Sequence, residues 1–96
     1  MDIYLLKIKG QFMAYDSPKL AKKKLLRQID FDLYENEEQP TNVEEVFALV
    51  KARRWFTNQD FSKLHLYQEI FFGEYSVMKI TLFAEKDFSL IKEEEW

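Results

Sequence analysis

The chain has 96 residues, 47% of them hydrophobic, with nine Phe, five Tyr and two Trp and a formal charge of −3. That length suits one domain spanning residues 1–96, and so apolar a composition belongs to a globular chain rather than a disordered one. With no cysteine there is no disulfide framework, thiolate nucleophile or Cys-based zinc site, and no apolar run approaches the roughly 18 residues of a membrane span.

Ile3 to Ile8 alternates as a strand, with Tyr4, Leu6 and Ile8 on one face and Ile3 and Leu5 on the other. Lys9-Gly10 then either turns the chain back into a second strand over Gln11 to Tyr15 or forms a bulge in one long strand. The hairpin is the preferred reading. Met1 to Lys9 lacks the basic start and small-residue cleavage site of a signal peptide, so the expected location is cytoplasmic.

Asp16-Ser17-Pro18 is a helix start: Ser17 can accept from the first free amides, and Pro18 suits the first helical position because its missing N–H would have no partner there. The helix should run over about 18–29. Ala21, Leu25, Leu26 and Ile29 form its apolar arc, and Lys19, Lys23, Lys24 and Arg27 its basic outer face. Residues 30–34 fit two states, since Leu26, Ile29 and Leu33 continue the helical period while Asp-Phe-Asp-Leu alternates like a strand.

After Pro40, Thr41 and Glu44 match a capping box, in which hydroxyl and carboxylate satisfy reciprocal backbone donors. A second helix follows over about 42–55, with Val43, Val46, Phe47 and Val50 as its buried stripe and Leu49 beside them. Leu64 to Phe83 then reads as two β-rich runs joined at Gly73-Glu74, a two-residue turn of type II′ in which glycine takes the positive φ. Phe72 should face Tyr75, Ile70 face Val77, Gln68 face Lys79, Leu66 face Thr81 and Leu64 face Phe83. Phe71, Tyr67, Met78, Ile80 and Leu82 share the opposite face with His65 and Glu69, so both faces of the hairpin are largely apolar and one of them needs a cover. Residues 85–96 read as a short acidic terminal helix.

Together these elements predict an α+β domain: a small mixed or antiparallel sheet from the N-terminal hairpin and the 64–83 hairpin, packed by two helices, in the order β-β-α-(β)-α-β-β-(α). Charge alternates by blocks. Residues 1–29 carry seven Lys/Arg against two Asp, residues 30–49 carry seven carboxylates and no base, residues 50–66 are basic and residues 67–96 acidic. Such blocks neutralise one another across surface ion pairs.

No catalytic residues, cofactor or metal site are expected. The lone histidine, His65, has no serine in a nucleophile-elbow sequence to serve, and both glycines are isolated rather than set in a phosphate loop. Asp30 and Asp32, with Glu35, Glu37 and Glu38 behind them, lack the alternating ligands and central glycine of a calcium loop and read as acidic surface. By exclusion the expected function is non-enzymatic: a small regulatory or inhibitory protein that binds a larger protein partner, with self-association as one mode. Arg53, Arg54, Trp55, Phe72 and Tyr75 are the candidate anchors, because aromatic and Arg side chains carry most interface energy. The alternative is a nucleic-acid-binding module in which Lys19, Lys23, Lys24, Arg27, Lys51, Arg53 and Arg54 neutralise phosphates and Trp55 stacks on a base.

Overall fold

The computed structural model describes residues 1–35 and 42–81. In chain order they form β1 (Asp2–Ile8), β2 (Gln11–Tyr15), α1 (Pro18–Asp30) continued by one π-helical turn (Phe31–Glu35), α2 (Val43–Thr57), a 3-10 turn (Phe61–Lys63), β3 (Glu69–Phe72) and β4 (Tyr75–Thr81). The strands make one antiparallel sheet in the order β2-β1-β4-β3, so the two hairpins meet through β1 and β4, which pair from Asp2↔Thr81 to Ile8↔Tyr75. The predicted α+β arrangement of a four-stranded sheet with two helices is what the chain adopts. The predicted terminal helix over 85–96 lies outside the described residues.

Both hairpin turns follow from local chemistry. Lys9 and Gly10 both have positive φ (51° and 83°), the pattern of a type I′ turn, which resolves the choice between hairpin and bulge in favour of the hairpin. Lys9 is an uncommon residue in that conformation, and it is held from two sides: its N–H donates to the Glu74 carbonyl at 3.1 Å and its ammonium lies 3.2 Å from Asp32. At the other hairpin only Gly73 has positive φ (63°), as a type II′ turn requires, and Phe72↔Tyr75 and Ile70↔Val77 pair as predicted.

Below Glu69 the predicted register stops. Gln68 N–H donates to the His65 carbonyl, closing a tight turn whose third residue, Tyr67, has a φ of 64°. Tyr67 N–H donates to the Lys79 carbonyl and Lys79 N–H to the Gln68 carbonyl, so two residues oppose one, as in a G1 bulge with tyrosine at the usual glycine position. The Gln68 side chain also accepts from His65 N–H at 2.8 Å. Leu66 therefore does not face Thr81. Leu64 instead enters the helix-side core behind the 3-10 turn, whose start is capped by the Asp60 side chain accepting from Ser62 N–H. Phe83, its predicted partner, lies outside the described residues.

Ser17 caps α1 by accepting from Leu20 N–H, and Pro18 occupies the first turn. At α2 the cap is Asn42, whose side chain accepts from Glu45 N–H at 2.8 Å; Thr41 of the predicted capping box lies outside the described residues. The open segment 30–34 continues α1 as helix. The helices cover the sheet face formed by Tyr4, Leu6, Ile8, Tyr15, Tyr75 and Val77, and bury against it Ala21, Leu25 and Ile29 of α1, Ala52 and Phe56 of α2, and Phe61 and Leu64. Lys22 fastens one helix to the other: its ammonium donates to the carbonyls of Thr57 (2.7 Å) and Gln59 (2.6 Å), just where the α2 dipole presents unpaired acceptors. Among the described residues no helix is long and apolar enough to cross a membrane.

Candidate protein-binding surfaces

Of the five predicted anchors, the structure leaves one exposed without a packing role. Arg54 lies on the outer side of α2. Arg53 points the other way, toward α1, and makes a two-point ion pair with Asp30 (Nε to Oδ1 2.5 Å, Nη2 to Oδ2 3.3 Å) that holds its guanidinium above the usual arginine range. Trp55 stands edge-on to Phe56 (4.9 Å between centroids) and tilted against Phe72 (5.7 Å), and both Trp55 and Phe72 pack onto the core. Tyr75 is only 3% exposed and belongs to the core itself.

Phe72 and Tyr75, brought side by side by the strand register, form one wall of a cleft between α2 and the β3–β4 turn. It has a volume of about 360 Å³ and is lined on the helix side by Ala48, Leu49 and Ala52, with Lys9, Asp32, Glu45 and Glu74 among its polar lining. The polar end is built around Asp32, a residue that composition suggested was surface. It is 3% exposed. The Tyr75 hydroxyl donates to its Oδ2, the Gln28 amide donates to Oδ1 at 3.3 Å, and the Lys9 ammonium lies 3.2 Å from Oδ1. Burial first, and then the hydrogen bond to this carboxylate, push the Tyr75 hydroxyl well above the ordinary tyrosine range. The cluster ties the π turn to both hairpin turns, and among the described residues no buried side-chain polar atom is left without a hydrogen-bond partner. Asp30 and Asp32 thus serve opposite sides of the helix, and among the described residues no three His, Asp or Glu side chains are placed to hold a metal ion.

Residues of the nucleic-acid alternative fall on different sides of the molecule. Lys19, Lys23 and Arg27 are exposed on α1, with Lys24 half-buried, and Lys51 and Arg54 are exposed on α2. Arg53 faces α1 through Asp30, whereas Trp55, two residues on, faces β3 through Phe72. Helix α2 therefore stands between the stacking ring and the basic face of α1.

Among the described residues two exposed apolar surfaces are present. The first is on α2, where the predicted burial fails: Val43 is 65% exposed and Phe47 59%, with Val46 and Val50 also exposed and Leu49 half-buried. The helix turns its Ala52 and Phe56 side to the sheet, because Phe56 offers the largest apolar group next to Phe61 and small Ala52 lets the backbone approach. The second is on the 64–83 segment. Phe71 is 65% exposed on the sheet face away from the helices, Leu66 and Tyr67 are exposed in the turn that precedes β3, and β3 is an edge of the sheet among the described residues. Farther across that face, Ile3 and Ala14 are buried, Leu5, Met78 and Ile80 are half-buried, and Phe12 is exposed under the Lys7 ammonium (5.6 Å).

The chain matches no protein-family model, no curated protein and no solved structure.

Proposed function

We propose that this chain is a non-enzymatic binding protein that regulates or inhibits a larger protein by docking through the β3 edge and the apolar residues around it. The observation that supports this best is Phe71: a large aromatic side chain, 65% exposed, at the centre of an edge strand, with Leu66 and Tyr67 exposed in the turn that precedes it. An edge strand presents backbone donors and acceptors in register, and an outward aromatic beside it supplies the apolar anchor that main-chain pairing lacks. Native edges are usually blunted by charge or proline, and β3, Glu-Ile-Phe-Phe, carries a single charge. Exposed Glu69 and Glu74 frame Phe71, so the fitting partner is an extended segment with an apolar residue flanked by Lys or Arg.

The test is affinity capture from the native host with wild-type chain and with Phe71→Asp. Because Phe71 is exposed, the variant should keep its melting temperature while losing a stoichiometric protein that the wild type retains. Equal capture by both chains would place the interface elsewhere.

A further inference from the structure

Helix α2 has two apolar faces, and only one of them is used by the fold described above. At 100° per residue, Val43, Phe47, Val50 and Arg54 fall within an arc of about 60° roughly opposite Ala52 and Phe56. Their spacing of four, three and four residues is that of a coiled-coil seam. On the α1 side Tyr34, 68% exposed, lies close enough to Arg53 to act on it electrostatically. The seam's other flank carries Glu44 and Lys51, one heptad apart, both exposed and of opposite sign.

We propose that this seam pairs with the same seam of a second copy of the chain, the two α2 helices running antiparallel about a two-fold axis that passes near Phe47. Charge complementarity selects that occupant. In an antiparallel pair the two Glu44–Lys51 flanks lie on the same side of the seam with Glu44 of each copy beside Lys51 of the other, so two symmetric ion pairs form, whereas in a parallel pair the two flanks lie on opposite sides of the seam and form none. The antiparallel arrangement also places each helix N-terminus beside the C-terminal half of its partner, where the opposed dipoles attract. The apolar layers are self-complementary, with Phe47 meeting its own equivalent near the axis and Val50 filling the space next to it. The seam is about 17 Å long, short of what a standard interface of roughly 800 Å² per partner needs, so the dimer is expected to be reversible, with a Kd on the order of micromolar. Because the seam points away from the sheet, the dimer leaves the surface around Phe71 free on both copies, and the two interactions are independent.

Sedimentation velocity over a concentration series tests this. Wild-type chain should pass from monomer to dimer, and Phe47→Glu should stay monomeric with an unchanged melting temperature, since Phe47 lies outside the core of the single copy. Glu44→Lys and Lys51→Glu should each weaken self-association by about tenfold, because each homodimer then holds two like-charge contacts. Mixed one to one, the two variants should form a heterodimer of wild-type strength, because each substituted side chain then lies beside one of opposite charge on the other copy. Wild-type chain that remains monomeric to about 1 mM, a dimer that survives Phe47→Glu, or a mixture no tighter than the single variants would each overturn the proposal.

Discussion

Replacing Tyr75 by Phe removes one oxygen atom and keeps the ring, so it isolates the contact that closes the polar end of the cleft. The hydroxyl donates to Asp32 Oδ2, and both residues are 3% exposed, so the carboxylate has given up most of its contact with solvent. A hydrogen bond to a charged partner contributes about 1.5–3 kcal/mol, and leaving one carboxylate oxygen facing a hydrocarbon edge puts the loss in that range. Asp32 keeps Lys9 and Gln28, which argues for a destabilisation of about 2 kcal/mol rather than the 3–5 kcal/mol of a fully stranded buried charge. For a domain of this size that lowers the Tm by roughly 8–16 °C. Urea unfolding followed by circular dichroism at pH 7 measures it, and a cycle with Asp32→Asn should show coupling of about 1 kcal/mol or more. The pH dependence adds a second readout. Tyr75 binds its proton more tightly folded than unfolded, so its contribution is fully present below the unfolded value of about 10 and is lost as pH rises above it, by up to about 1.4 kcal/mol per pH unit. Tyr75→Phe should lack that alkaline loss. A variant within about 0.5 kcal/mol of wild type at pH 7, with the same alkaline slope, would refute the account of the cluster.

Lys22→Ala should cost about 1 kcal/mol in urea unfolding, because the Thr57 carbonyl that ends α2 and the Gln59 carbonyl just beyond it lose a shared cationic donor, and Lys22→Arg should recover part of it. Gly73→Ala meets no atom within 4 Å of the new Cβ but must hold a φ of 63°, so it should destabilise by about 1–2 kcal/mol, a purely backbone effect. Arg53→Ala should cost less than about 1 kcal/mol and less still in 1 M NaCl, since the pair with Asp30 is half-exposed.

Most of the fold was legible because its signals are local. Ser17-Pro18 starts α1, Gly73-Glu74 turns the second hairpin, and alternation marks β1. What escaped the sequence depended on residues far apart. The bulge at Tyr67 could not be foreseen from a position that is normally glycine; it is set by Gln68 bonding back to His65 and by Lys79 across the ladder. Asp32 looked like one carboxylate among several in an acidic stretch, yet a signal for it existed. Once residues 30–34 are read as helix, Ala21, Leu25, Ile29 and Asp32 fall on one stripe, and a charged residue on a core stripe demands buried partners. Those partners, Lys9 and Tyr75, come from the two hairpin turns and are visible only once the sheet order is known.

Helix α2 shows a different limit. Its spacing of Val43, Val46, Phe47 and Val50 marks a side that should leave water, and the pattern says nothing about what covers that side. Within one copy the opposite side, Ala52 and Phe56, was available and packs on the sheet. Choosing between them is a question of fit: Ala52 lets the helix approach the strands closely, and Phe56 reaches Phe61 edge-on, whereas Phe47 set against Leu6 and Val77 would hold the helix away from the sheet. The stripe left outside is still an unmet demand for burial. This helix of fifteen residues carries two apolar faces, with Glu44 and Lys51 of opposite sign along the outer one, and the proposed pairing of two copies would bury the face that the sheet leaves exposed. A helix needing only to cover its sheet would carry Lys or Glu at 43, 47 and 50, and substituting those three positions should change the state of association while leaving the unfolding free energy of the monomer within about 0.5 kcal/mol.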